Sequence, residues 1–161
     1  MSIEIERKFL VRGEAWREQA HERLPMDQGY LVVPGGKASV RVRLQGEQAR
    51  LNIKAAVVGA ERAEFDYPIP HADGREMLET LSVGRVQKTR HLVRHAGREW
   101  EVDEFEGENA GLVVAELELE HVEAAFERPD WLGEEVTDDV RYYNHSLAMR
   151  PYRQWRDTES A

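Results

Sequence analysis

The chain has 161 residues, 41% hydrophobic and 33% charged, with a formal net charge of −9 and no cysteine. That suits one soluble domain with a sizeable core, and it excludes a disulfide framework, a thiol nucleophile and a thiolate metal site. No apolar run approaches the ~20 residues of a membrane span, the N-terminus lacks a signal-peptide pattern, and the acidic surplus argues against a nucleic-acid partner; a cytoplasmic protein is expected.

In chain order, "SIEIERKFLV" alternates as a strand, with Glu4, Glu6 and Lys8 on one face and Ile3, Ile5 and Phe9 on the other. "RGEAWREQAH" reads as a short surface helix, and "GYLVV" as a strand ending at the turn "PGG". The strands "ASVRVRLQ" and "ARLNIKAAV" flank a hairpin turn, and a polar loop leads into "RAEFDYPI". "HADGREMLETLS" has helical spacing, with Met77, Leu78 and Leu81 as its apolar stripe and Asp73 as its N-cap. "VGRVQKTRHLVR" and "REWEVDEFEG" form a long hairpin about "HAG", and "GLVVAELELEHV" is the last clear strand. "DDVRYYNHSLAMRPY" suits one more helix, with Tyr143, Leu147 and Met149 among its apolar residues. About eight strands joined mostly by hairpin-length loops predict an antiparallel α+β protein. Residues 1–156 read as one domain, and 157–161 as a frayed tail.

The strand faces are charge-pure. Arg41 pairs with Arg43, Asn52 with Lys54, Glu64 with Asp66, Lys88 with Arg90, and Glu101 with Asp103; Glu116, Glu118 and Glu120 share a third acidic face. A single such strand reads as half-buried, with its polar side in water. Taken together they resist that reading, because like charges side by side are destabilising and solvent-facing strands usually mix Thr, Ser and Lys. A closed barrel of eight antiparallel strands has room for one small ligand. If the charged faces point inward, the barrel has a charged lumen and helices packed outside, with the core between the two.

Such a lumen suits a multiply charged anion. Arginine forks match phosphate oxygens and lysine adds a compact charge. The carboxylates would repel that anion unless a hard cation sat between, and Mg²⁺ and Mn²⁺ prefer oxygen ligands shared with substrate phosphate. Basic strands with acidic strands therefore indicate a polyphosphate site.

The ordered set "EIERK", "RVR", Lys54, "EFDYPI", "KTR", "DEFEG", "AELEL" and "EVTDDVRYYNHSLA" resembles the CYTH domain of the triphosphate tunnel metalloenzymes over nearly the whole chain. The resemblance implies an eight-stranded tunnel, dependence on Mg²⁺ or Mn²⁺ and a triphosphate-bearing substrate. It makes Glu4, Glu6, Glu116 and Glu118 the metal ligands, and Lys8, Arg41, Arg43, Lys54, Lys88 and Arg90 the phosphate clamps. Lys8, Lys88 and Arg90 would steady phosphoryl charge, and Glu64 would bind metal or orient water. Asp66 stands where the family often has glutamate, and Glu120 falls either on the acidic face or at a solvated mouth. The family includes inorganic, thiamine and RNA 5′-triphosphatases and class IV adenylate cyclases. Small size and the tail motif resemble the inorganic branch, so hydrolysis of tripolyphosphate is the expected reaction. A nucleoside or thiamine triphosphatase, a cyclase and a non-catalytic polyphosphate-binding module stand as alternatives.

Other signals fall away. No aromatic is clearly offered to a base, although Tyr30 reads as either core or lumen. The histidines lack metal-protease spacing, with His91 and His95 read as a solvated strand pair. There is no P-loop and no nucleophile elbow. An exposed helix face leaves a homodimer open.

Overall fold

A strand whose polar side is fully charged gains nothing from a flat sheet, and here the sheet closes on itself. The computed structural model describes residues 2–157; the tail expected over 157–161 lies, Asp157 apart, outside the described residues. The strands are β1 (Ser2–Val11), β2 (Ala20–Tyr30), β3 (Ala38–Gln45), β4 (Gln48–Ala55), β5 (Glu61–Ile69), β6 (Gly84–His95), β7 (Arg98–Phe105), β8 (Val113–Glu118) and β9 (Leu132–Glu135). The helices are α1 (His71–Leu81), α2 (Asn144–Met149) and α3 (Tyr152–Trp155). The first eight strands run in the order β5-β4-β3-β2-β6-β7-β8-β1, and a β1–β5 pairing closes them into an antiparallel barrel.

β1 is the closing seam. Its Ile5 carbonyl accepts from the Leu119 amide at 2.8 Å on the β8 side. Its Glu6 amide donates to the Ala60 carbonyl at 3.1 Å, and its Lys8 carbonyl accepts from Val136 at 2.8 Å. Successive residues thus bond to opposite neighbours, and the short β9 extends the edge that β5 leaves free. The β6–β7 hairpin turns through Ala96 and Gly97 at φ 48° and 78°, the left-handed pair whose twist suits a tight hairpin.

Two apolar clusters form. The first lies on the outward faces of β1, β6, β7 and β8, and includes Phe9, Val93, Trp100, Val102, Ala115 and Leu117. It is covered by Trp16 and by the non-helical stretch that carries Ala124, Phe126 and Trp131. The second fills one end of the barrel itself. Along four strands the inward series changes from charged to apolar in one step of two: Lys8 to Leu10, Lys88 to Val86, Asp103 to Phe105 and Glu116 to Val114. Leu147 and Trp155 from the C-terminal helices complete this plug. Apolar packing is thus shared among a patch under a loop, the plug, and the outer strand faces that α1 covers with its buried Leu78.

Helix α1 lies against the outer side of β3 and β4. A Cβ on its Gly74 would come within 2.7 Å of the Ala49 Cβ and 3.1 Å of Leu44, so the close approach needs glycine. Gly74→Ala is expected to cost about 1–3 kcal/mol in urea unfolding; an unchanged midpoint would show that α1 can move away freely.

Several local expectations are corrected. The segment read as a surface helix is only a 3₁₀ turn over Ala15–Gln19, with Trp16 fully buried. The next strand begins at Ala20 and ends at Tyr30, instead of running through "GYLVV". Pro25 is tolerated because β2 pairs with β3 only from Asp27 to Tyr30, so at Pro25 its one neighbour is β6. Pro70, not Asp73, stands at the N-cap of α1. The single C-terminal helix is split into a 3₁₀ turn (Val140–Tyr142), α2 and α3, because Pro151 cannot continue α2 and restricts Arg150. His91 is not solvated; it packs edge-on to Trp16 at 4.8 Å and bonds Glu104 at 3.1 Å.

Candidate active site

The charged faces point inward around a cavity of about 610 Å³. Glu4, Glu6 and Lys8 reach it from β1, Arg41 and Arg43 from β3, Lys54 from β4 and Glu64 from β5. Lys88 and Arg90 enter from β6, and Glu116 and Glu118 from β8. Every residue singled out from the sequence for binding or catalysis lines this one space. The antiparallel register explains the grouping: Glu6 stands opposite Glu118, Lys8 opposite Glu116, and Glu101 opposite Glu116.

At the plugged end, Lys88 and Asp103 are both completely shielded from solvent, with Nζ 2.7 Å from Oδ2. Arg90 grips the same carboxylate with two bonds, Nε to Oδ1 at 2.8 Å and Nη2 to Oδ2 at 3.0 Å, and reaches Glu101 at 2.9 Å. Burial opposes charge on Asp103, but Arg90 and Lys88 outweigh it and hold its carboxyl below the usual range. Burial, assisted by Arg90 and Arg43, pulls Lys88 down to about 7 against the attraction of Asp103. A phosphate oxygen arriving beside that ammonium favours the charged form.

The carboxylates divide into paired and crowded groups. Glu116 receives Lys8 Nζ at 3.0 Å. Burial works against its charge, yet Lys8, Arg90 and Lys88 together keep it well below the ordinary value. Glu4 receives Lys54 at 2.9 Å, and Glu64 accepts from Asn52 at 3.3 Å. Glu6 is crowded instead: burial, then the negative charge of Glu116, push it up to about 8. Glu6, Glu101 and Glu116 each offer an oxygen within 4.8 Å of the others. Three hard oxygen donors, one of them held to its proton by burial and then by the charge of Glu116, are suited to a divalent cation, which would offset that charge and displace the proton.

A model of the CYTH domain matches residues 2–152. The chain belongs to the CYTH domain family. It is 43% identical over 158 residues to a protein of Acetivibrio thermocellus named inorganic triphosphatase, covering 98% of this chain and all of that one. A Nitrosomonas europaea protein of the same name is 35% identical over 149 residues, 91% of this chain and 97% of that one. A solved structure of an inorganic triphosphatase superposes with a TM-score of 0.68 at 33% identity, covering 92% of this chain and 96% of the other. Among the described residues of this CYTH chain, no helix is long and apolar enough to cross a membrane.

In and just beneath the CYTH cavity stand residues that sequence reasoning gave no role, Glu101 lining it and Asp103 buried under it. Glu101 and Asp103 carried a readable signal, since they alternate on an acidic face of "WEVDEF". Arg62 stands two positions before Glu64, and so shares its face. Tyr143 and Asn144 had no such signal, because they enter from the C-terminal segment and not from a strand. Asn144 Oδ1 accepts from Lys88 at 2.9 Å and from Gln28 at 3.2 Å, while Gln28 in turn accepts from Arg43 at 2.9 Å. Asp66 reaches the cavity but bonds Arg50 at 3.1 Å, and Glu120 points to Arg98 at 3.2 Å from an exposed position. Tyr30 lines the cavity while almost fully buried, stacked on His145 at 4.9 Å.

Proposed function

We propose that this chain hydrolyses inorganic tripolyphosphate, with Mg²⁺ or Mn²⁺ held among the lumen carboxylates. The observation that carries the reading is the barrel cavity in which cations from β1, β3, β4 and β6 face a crowded carboxylate group on β1, β7 and β8. The relatives named inorganic triphosphatase agree with it over nearly their whole length.

Glu6, Glu101 and Glu116 are the best-fitting cation holders, because they are close together and Glu6 is destabilised as an anion. Glu4, already engaged by Lys54, and the exposed Glu118 complete the acidic side. A bound divalent cation would offset phosphate charge and acidify a water molecule. Lys8, Arg41, Arg43, Lys54, Lys88 and Arg90 bind the phosphate oxygens, and Lys8, Lys88 and Arg90 counter the charge that builds on the phosphoryl group. Glu64, steadied by Asn52, orients the attacking water. Water adds at a terminal phosphorus, the phosphoanhydride bond breaks, and orthophosphate and pyrophosphate leave. Positioning and charge neutralisation supply most of the effect in such transfers. Tyr30, stacked on His145 and almost fully buried, is not offered to a nucleobase, which favours the inorganic substrate.

The test is orthophosphate release from tripolyphosphate, ATP and thiamine triphosphate, each with Mg²⁺, with Mn²⁺ and with chelator. Release is expected to be fastest from tripolyphosphate and to vanish with chelator. Faster release from ATP or thiamine triphosphate would move the chain to another branch, and binding without release would make it a binding module.

A further inference from the structure

Arg62 lines the cavity from β5. Its guanidinium lies over the ring of Tyr143, 5.0 Å from the centroid. That ring is itself fixed at its hydroxyl, which donates to the Thr137 carbonyl at 2.7 Å and accepts from the Gly59 amide at 3.1 Å. Lys8 Nζ approaches the same ring at 5.6 Å, so Tyr143 brings together cations from two strands.

The Arg62 Nε is buried without a hydrogen-bond partner; Glu4 Oε1 lies 3.9 Å away, beyond bonding reach. Arg41 lines the same cavity from β3, and its Nε is likewise buried and unpartnered. A buried charged donor left unpaired is costly, so folded chains rarely keep one without an acceptor. Two such donors around one cavity indicate an acceptor that arrives with a ligand.

We propose that Arg62 is a further anion-binding residue, giving its free N–H edge to an oxygen of the bound polyphosphate while Tyr143 fixes the guanidinium plane. The proposal rests on reading the cavity as a tripolyphosphate site. Lysine is a poor substitute, because an ammonium has neither the planar edge nor the flat face that lies on the ring.

The experiment titrates tripolyphosphate calorimetrically into wild-type, Arg62→Ala and Arg62→Lys chains with chelator present, and measures KM with Mg²⁺ in parallel. Arg62→Ala is expected to weaken binding roughly 10- to 150-fold, the loss of one charge-assisted hydrogen bond, with a matching rise in KM. Arg62→Lys is expected to recover only part of this, and carries the test alone if the alanine chain unfolds. Binding and KM within twofold of wild type in Arg62→Ala, or full recovery by lysine, would overturn the proposal and leave Arg62 as a countercharge to Glu4. Failure of the hydrolysis reading looks different: the wild type would bind tripolyphosphate and release no orthophosphate, whatever the Arg62 variants do.

Discussion

Replacing Glu6 with glutamine is expected to raise the unfolding temperature of the metal-free chain by roughly 5–10 °C at pH 8 and to abolish Mg²⁺-dependent orthophosphate release. Glu6 is pushed up to about 8 by burial and then by Glu116, so ionising it costs folding free energy. A carboxyl raised in the folded state stabilises the protein below its unfolded value of 4.5, and that contribution is lost as pH climbs to about 8. The metal-free wild type should therefore weaken across this window, while Glu6→Gln, which cannot ionise at that position, should weaken less, its remaining loss coming from Glu101, which burial also raises. Below pH 4.5 the two curves should converge, and the common acid loss there belongs to carboxylates held below their ordinary values, such as Asp103 and Glu116. Glu118→Gln is the control for position: Glu118 is exposed, and its stability should change little. Parallel pH curves for wild type and Glu6→Gln would show that Glu6 is not crowded, and the cation-holding role would lose its main support.

Asp103→Asn should have the opposite sign. The carboxylate is fully shielded and binds Lys88 once and Arg90 twice. Its neutralisation leaves two buried cations facing each other, and breaking a buried ion pair costs about 3–5 kcal/mol. For a chain of this size that is a fall of about 6–20 °C in Tm. Turnover should fall with it, because Lys88 and Arg90 lose the group that sets their geometry. Added tripolyphosphate should restore part of the lost Tm by supplying anionic oxygens to the two cations that have lost the Asp103 carboxylate, which a purely structural role would not predict. A chain as stable as the wild type would mean that water reaches Lys88 and Arg90 freely.

Much of the site was legible because a strand writes its two faces into alternate positions. "EIERK", "RVR", "KTR" and "AELEL" each announce a charged face, and repulsion between like neighbours argues that such faces need an enclosed partner. Glu101 and Asp103 were visible in the same way, but nothing local distinguishes a cavity-lining acid from one that locks two buried cations. Sequence rules misjudged the stretch from Arg12 to Tyr30, where Pro25 and weak alternation conceal an eleven-residue strand. They also misjudged the C-terminal segment, whose helical spacing continues through a proline.

The sequence by itself determined most of the antiparallel strands, the charge-pure faces and many of the strand residues that meet in the cavity, because alternation is a local property of the backbone. Only the tertiary structure decided which acid pairs with which base, and that one end of the barrel is filled by an apolar plug. It also brought Tyr143 and Asn144 from the end of the chain to Lys8, Arg62 and Lys88. Those outcomes depend on barrel closure and strand register, which place residues a hundred positions apart within a hydrogen bond of each other, and no short stretch of sequence encodes that distance.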